Sequence, residues 1–281
     1  MLWIQFLERG QSRRLITSTD DNWEHVEHFG FRSKIGSTHL ARTMMLEDLE
    51  ALLSYVNNPE TEKAKYTQAI QEENCLGKRS GKSRELTAKH LVVLYGLDPS
   101  ITIFRNLQFF WSRDPEAHPL LALLCAYARD PLLRMSVPFI LGLSEGTNVF
   151  REKLEDFIET EAPSRFSKAT LKSLAQNINA TWTKSGHLKG RVKKVRTRVN
   201  PTPGAASYAL FLGYLKGLRG QFLFQSEYAR LLDCSVDYTM ELAEQASRRG
   251  WIVFKRIGDV TEVQFRHLLT AKEMEWLREQ G

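Results

Sequence analysis

Between residues 38 and 161 the apolar side chains recur at spacings of three and four, the period of helices packed through one face. Leu40, Met44, Met45, Leu49, Leu52, Leu53 and Val56 form the first such stripe, predicting a helix over 38–56 that ends before Asn57-Asn58-Pro59. Further helices are predicted over 61–73, 83–95, 99–111, 115–128, 131–141 and 147–161. Pro99, Pro115 and Pro131 stand where a first helical turn tolerates a missing N–H. Residues 1–35 form a loosely patterned lead in which Thr17 to Asn22 suit a turn or N-cap before Trp23. The 281 residues are 42% hydrophobic, enough to bury one large core or two smaller ones. Cys75, Cys125 and Cys234 lie far apart, which excludes CxxC motifs and argues against a disulfide framework. A reducing cytoplasm is the expected location. The apolar start acquires charge by residue 9 without a small-residue cleavage site, so no secretory signal is read. The apolar stretches 117–128 and 199–215 read as core helices rather than membrane spans.

Charge then divides the chain by function. Residues 162–226 hold no Asp or Glu but 12 of the 39 Lys and Arg, leaving 27 basic residues elsewhere to set against 33 acidic ones. The window is therefore +12 and the remainder −6. Like charges crowded on one folded surface repel unless a polyanion neutralises them, so nucleic acid is the expected partner.

Within that window Ser167 suits an N-cap for a helix with the apolar stripe Leu171, Leu174, Ala175, Ile178 and Trp182, closed by Gly186. Its opposite face is read as Lys168, Lys172, Gln176 and Asn179. Lys184 and Lys189 follow, and then a β-branched basic run from Gly190 to Val199 with Arg191, Lys193, Lys194, Arg196 and Arg198. Helix, turn, helix and strand in this order predict a winged helix-turn-helix, with the second helix in the major groove and the strand hairpin on phosphates. Phe166, Trp182, Tyr208, Phe211 and Tyr214 fall in the same window at helical spacing and are read as core.

The C-terminal region repeats the order. Helices are predicted over 205–218, 226–232 and 236–249, with a short strand at 221–224. A hairpin of 251–257 and 260–267 turns at Gly258-Asp259, and a last helix starts at Thr270. Its reading helix carries Asp237, Glu241 and Glu244, which phosphates repel, so a protein-contact role is expected there, with Lys255 and Arg256 as peripheral DNA contacts. The fold class is thus mainly α, a helical core with winged helix-turn-helix-like units and short β-hairpins. The domains are read as 36–162, 163–203 and 204–281 after the lead.

Gly77-Lys78-Arg79-Ser80-Gly81-Lys82-Ser83 is one residue short of a phosphate-cradling P-loop and follows a helix rather than a strand. It is read as a basic loop, with Lys78, Arg79, Lys82 and Arg84 as further peripheral DNA contacts. His25 and His28 share a zinc-compatible spacing without a third ligand. Adjacent acids such as Glu72-Glu73 and Asp20-Asp21 do not face one another as acid/base pairs do. No catalytic residue, metal ligand or cofactor is assigned.

Four short motifs recur in a telling order: Gly36-Ser37-Thr38 at a helix start, Glu72-Glu73-Asn74-Cys75-Leu76-Gly77-Lys78-Arg79-Ser80, Asp130-Pro131-Leu132-Leu133-Arg134, and the helix from Ser167 through Thr170 to Ser185-Gly186-His187-Leu188. In these, residues 36 to about 200 resemble the BrxA family, accessory proteins of bacteriophage-exclusion (BREX) systems. The resemblance implies a small, mostly helical DNA-binding protein with a helical core similar to the antitermination factor NusB, acting beside a methyltransferase and other defence proteins without catalysis of its own. Two alternatives stay open: a scaffold or RNA-binding regulator using the basic face, and a nuclease or nucleotidase using the Gly77 to Ser83 loop.

Overall fold

Residues 120–129 and 203–213 are buried on every face, a condition met by a helix enclosed on all sides, and they form the centre of the molecule. The computed structural model describes residues 23–33, 36–58, 61–258 and 260–279. In chain order the helices are α1 (Trp23–Glu27), α2 (Leu46–Val56), α3 (Lys63–Gln71), α4 (Gly81–Tyr95), α5 (Thr102–Trp111), α6 (His118–Arg129), α7 (Pro131–Leu141), α8 (Arg151–Glu161), α9 (Lys168–Lys184), α10 (Pro203–Leu215), α11 (Glu227–Arg230), α12 (Val236–Arg248) and α13 (Ala271–Glu279). Strands β1 (Asn148–Val149), β2 (Leu188–Lys189) and β3 (Lys194–Arg196) form an antiparallel sheet in the order β1-β3-β2. A separate hairpin pairs β4 (Val253–Ile257) with β5 (Val260–Gln264). The mainly helical fold read from the periodicity holds. Among the described residues no helix is long and apolar enough to cross a membrane.

Helix α6 runs through the centre with α4, α5 and α10 against it. Its last residue, Arg129, is buried and satisfies the end of α4, donating from Nε to Val93 O (3.0 Å) and from Nη2 to Val92 O (3.2 Å). Burial lowers its pKa to about 10. The two ends of the described chain meet on one side. Trp276 of α13 stacks on His25 of α1 and on His28 in the turn just after it, and donates to His25 Nδ1, which accounts for the spacing of that histidine pair.

Two predicted elements are replaced, and the helix expected over 147–161 yields its first residues to β1 and begins at Arg151. The helix expected over 38–56 is a 3-10 turn at Thr38–Leu40 followed by α2, because the chain reverses at Met45, whose φ of 52° is left-handed. The strand expected at 221–224 is a 3-10 turn, Gly220–Gln225, that buries Leu223 and Phe224. Residues 1–22, with the Thr17 to Asn22 turn and the Asp20-Asp21 pair, lie outside the described residues. So do Pro59 and Asp259.

From α7 onward the elements are helix, β1, α8, α9 and the β2–β3 hairpin. Gly190 opens the hairpin turn at φ +100°, and a Cβ there would stand 2.0 Å from Lys193 O. His187 anchors the junction between α9 and β2: it is fully buried, with Nε2 3.0 Å from Leu231 O and Nδ1 2.9 Å from Ser185 Oγ. Burial lowers its pKa to about 4. The neutral ring is therefore the folded form, and the unfolded chain takes up a proton first as pH falls. Stability is expected to be complete above about pH 6.5 and to decline towards pH 4 by up to about 3 kcal/mol from this group. Urea titrations across that range should show the decline, and His187→Gln should remove about one proton of uptake.

Candidate nucleic-acid interface

Ser167 caps α9, accepting from Thr170 N at 3.2 Å, and Leu171, Leu174, Ala175, Ile178 and Trp182 turn inward as the stripe requires. Lys168, Lys172 and Gln176 stand exposed on the outer face. Asn179 does not: it is 5% exposed, because residues 38–44 lie across the C-terminal half of α9. It is removed from the reading face.

The hairpin divides in the same way. Lys189, Arg191 and Lys193 are exposed around a tip where Val192 is 91% exposed. Lys194 folds back to donate to Gly190 O at 2.6 Å, and its partial burial lowers its pKa. Arg196 is a correction. It is 3% exposed, donates from Nε to Ile140 O (3.1 Å), and forks onto Asp233 with Nη2–Oδ1 and Nη1–Oδ2 both 2.8 Å apart. Its charge is consumed inside the protein.

Other expected contacts are partly engaged. Arg198 stands exposed, 3.7 Å from Glu145. Lys184 pairs with Glu47 across a polar cleft of about 460 Å³. Burial would raise the Glu47 carboxyl, but the Lys184 ammonium beside it outweighs this and holds it below its ordinary value. Lys78 reaches Asp48 at 2.7 Å on the same cleft. Arg79 and Lys82 are exposed near the start of α4, which opens at Gly81 with Ser80 as its cap, and Arg84 is half-buried. Lys255 and Arg256 are exposed on β4, where Arg256 lies 3.5 Å from Met240 Sδ. Lys168, Lys172, Lys189, Arg191 and Lys193 are exposed, make no ion pair among the described residues and follow one another on α9 and the β2–β3 hairpin; Arg79, Lys82, Lys255 and Arg256 are likewise exposed without an ion pair but stand on α4, its approach and β4. The acids of neighbouring α8 are largely occupied. Glu152 and Glu155 bind Arg151, Asp156 faces Lys153, and Glu159 accepts from Ser164 N.

Sequence reasoning missed the constellation that fixes α9. His39 Nδ1 is 2.9 Å from Asp130 Oδ2 and His39 Nε2 is 2.9 Å from Thr181 Oγ1. Thr181 Oγ1 also accepts from Met44 N at 2.9 Å, and Asp130 accepts from Ser37 Oγ, Thr38 N, Leu132 N and Leu133 N. Burial would raise the Asp130 carboxyl; His39 and these donors hold it well below the carboxylate range instead. Hydroxyl, imidazole and carboxylate follow the order of a nucleophilic triad, yet all three are fully buried, where they tie residues 37–44, the cap of α7 and α9 together. Asp-Pro at a helix start announces the cap. Nothing local announces its link to Thr181.

The aromatics of the acid-free window belong to the core: Trp182, Tyr208 and Phe211 are fully buried, and Phe166 and Tyr214, partly buried, pack against the core. No protein-family model matches the chain, and no curated protein matches it.

Proposed function

We propose that this protein binds double-stranded DNA through α9 and the β2–β3 hairpin, without catalysis of its own. The observation that carries the reading is that the exposed, unpaired cations Lys168, Lys172, Lys189, Arg191 and Lys193 fall on one helix and the hairpin it runs into. The order α7, β1, α8, α9, β2, β3, with sheet order β1-β3-β2, supports reading this part as a winged helix. In that arrangement α9 enters the major groove and the turn 190–193 rides on phosphates. Gln176, between the two lysines' turns and the end of the exposed face, is the side chain suited to an adenine edge. Helices α10 to α12 with β4–β5 repeat the order, but exposed Asp237, Glu241 and Glu244 make that unit the protein-contacting one. The resemblance to the BrxA family supports placing this activity in bacteriophage exclusion, in the cytoplasm and beside other defence proteins.

Electrophoretic shifts with duplex DNA, single strands and RNA stems at two salt concentrations test the reading. Duplex should bind tightest, and affinity should fall steeply with salt. Preference for RNA stems would favour the regulator, and metal-dependent cleavage would favour the nuclease. If α9 reads sequence, Gln176→Ala should cost about 1 to 3 kcal/mol on the preferred site alone. Lys82→Ala should weaken duplex binding only slightly; saturable ATP binding abolished by this substitution would favour the nucleotidase.

A further inference from the structure

A cleft of about 330 Å³ opens between α12 and β4, in the unit that the proposed DNA interface does not use. Its floor is apolar, formed by the half-buried Met240 and Phe254, and Phe224 holds the Phe254 ring edge-on at 5.8 Å between centroids. Asp237, Glu241 and Glu244 stand exposed beside it, spaced by four and three along α12 and so on one face. Glu244 is paired with Arg248 at 2.7 Å, whereas Asp237 and Glu241 make no ion pair among the described residues. Arg256 also lines the cleft and lies along its floor, with Nη1 3.5 Å from Met240 Sδ. The complement to this cleft is carried by the same chain. The β2–β3 turn presents Val192, the 91%-exposed tip, between the exposed Arg191 and Lys193. An apolar tip flanked by two cations matches an apolar floor flanked by two free carboxylates. Val192 does not line the cleft of its own chain, so only another copy can bring the turn to it.

We infer that the β2–β3 turn of one copy seats in the α12–β4 cleft of a second copy. Val192 covers Met240 and Phe254, while Arg191 and Lys193 reach Asp237 and Glu241. These cations are the ones the proposed function assigns to phosphates, so duplex DNA competes with self-association; only that competition rests on the proposed function. Sedimentation velocity of the full chain, without DNA and over a range of concentrations, reads the contact. The parent should self-associate at low salt and less so as salt rises. Asp237→Asn with Glu241→Gln disables the cleft and keeps the turn, and Arg191→Gln with Lys193→Gln does the reverse. Each double variant alone should associate at least about tenfold more weakly than the parent. Mixing the two should restore a one-to-one complex of twice the monomer mass, through the intact turn of one and the intact cleft of the other. The parent's net charge is +6, so the variants carry +8 and +4 and repel in bulk, which separates a seated contact from general attraction. Val192→Ser should weaken the parent's association about tenfold at unchanged charge. All five positions are exposed, and unchanged melting temperatures check that each variant folds. A parent that stays monomeric at every concentration, variants that associate as the parent does, or a mixture that forms no complex would overturn the assignment. Duplex DNA should disperse the parent's assemblies; a chain that binds no duplex strikes the proposed function and leaves the mixing result standing.

Discussion

Alanine at Lys168, Lys172, Lys189, Arg191 and Lys193 together is expected to lower duplex affinity at least about a hundredfold at moderate salt, for every sequence alike. If each cation meets one phosphate, the parent loses affinity with a log–log salt slope near about −4 to −5, and the variant's slope is flatter by about one for each contact removed. Net charge alone changes affinity through long-range attraction, so a matched control is needed. Lys65, Lys89, Arg113, Lys272 and Arg278 are also exposed, and replacing them changes the net charge by the same amount. That second variant should retain the parent's salt slope and most of its affinity. Equal losses in the two variants would reduce the basic window to a general field. A parent slope shallower than about −2 would remove phosphate neutralisation as the driving force.

How far the site was legible follows from where each partner lies in the chain. Lys168, Lys172 and Gln176 are exposed because their helix face opposes a local apolar stripe, which one helical period discloses. Asn179 shares that face on the same geometry, yet it is buried. Residues 38–44, more than a hundred positions earlier, cross the helix there, with Asn177 donating to His39 O and Thr181 bonded to both His39 and Met44. Local periodicity carries no information about which distant segment covers a helix. The same limit explains the break in the predicted helix at 38–56, where the His39–Asp130–Thr181 link holds the chain in a 3-10 turn rather than letting the stripe wind as one helix. Central helices α6 and α10 were legible because they are apolar all round, a signal that does not depend on identifying the neighbours.

Arg196 is where charge counting and structure part most sharply, and it yields the largest expected stability effect. In sequence it is one more cation in a basic strand. In the fold it is clamped between Ile140 O, His187 O and the Asp233 carboxylate, which arrives on the left-handed turn after α11. Removing one partner from a buried ion pair leaves the other desolvated and uncompensated, at a cost of about 3 to 5 kcal/mol. Arg196→Met is therefore expected to lower unfolding free energy by about that amount in urea titrations. Asp233→Asn removes the opposing charge, so the double variant should be less destabilised than the sum of the two single changes. Because the guanidinium does not reach solvent, the salt slope of DNA binding should match the parent's wherever Arg196→Met remains folded. A variant that keeps its stability but loses about one from that slope would return Arg196 to the DNA-binding surface and place Asp233 outside the support of the hairpin.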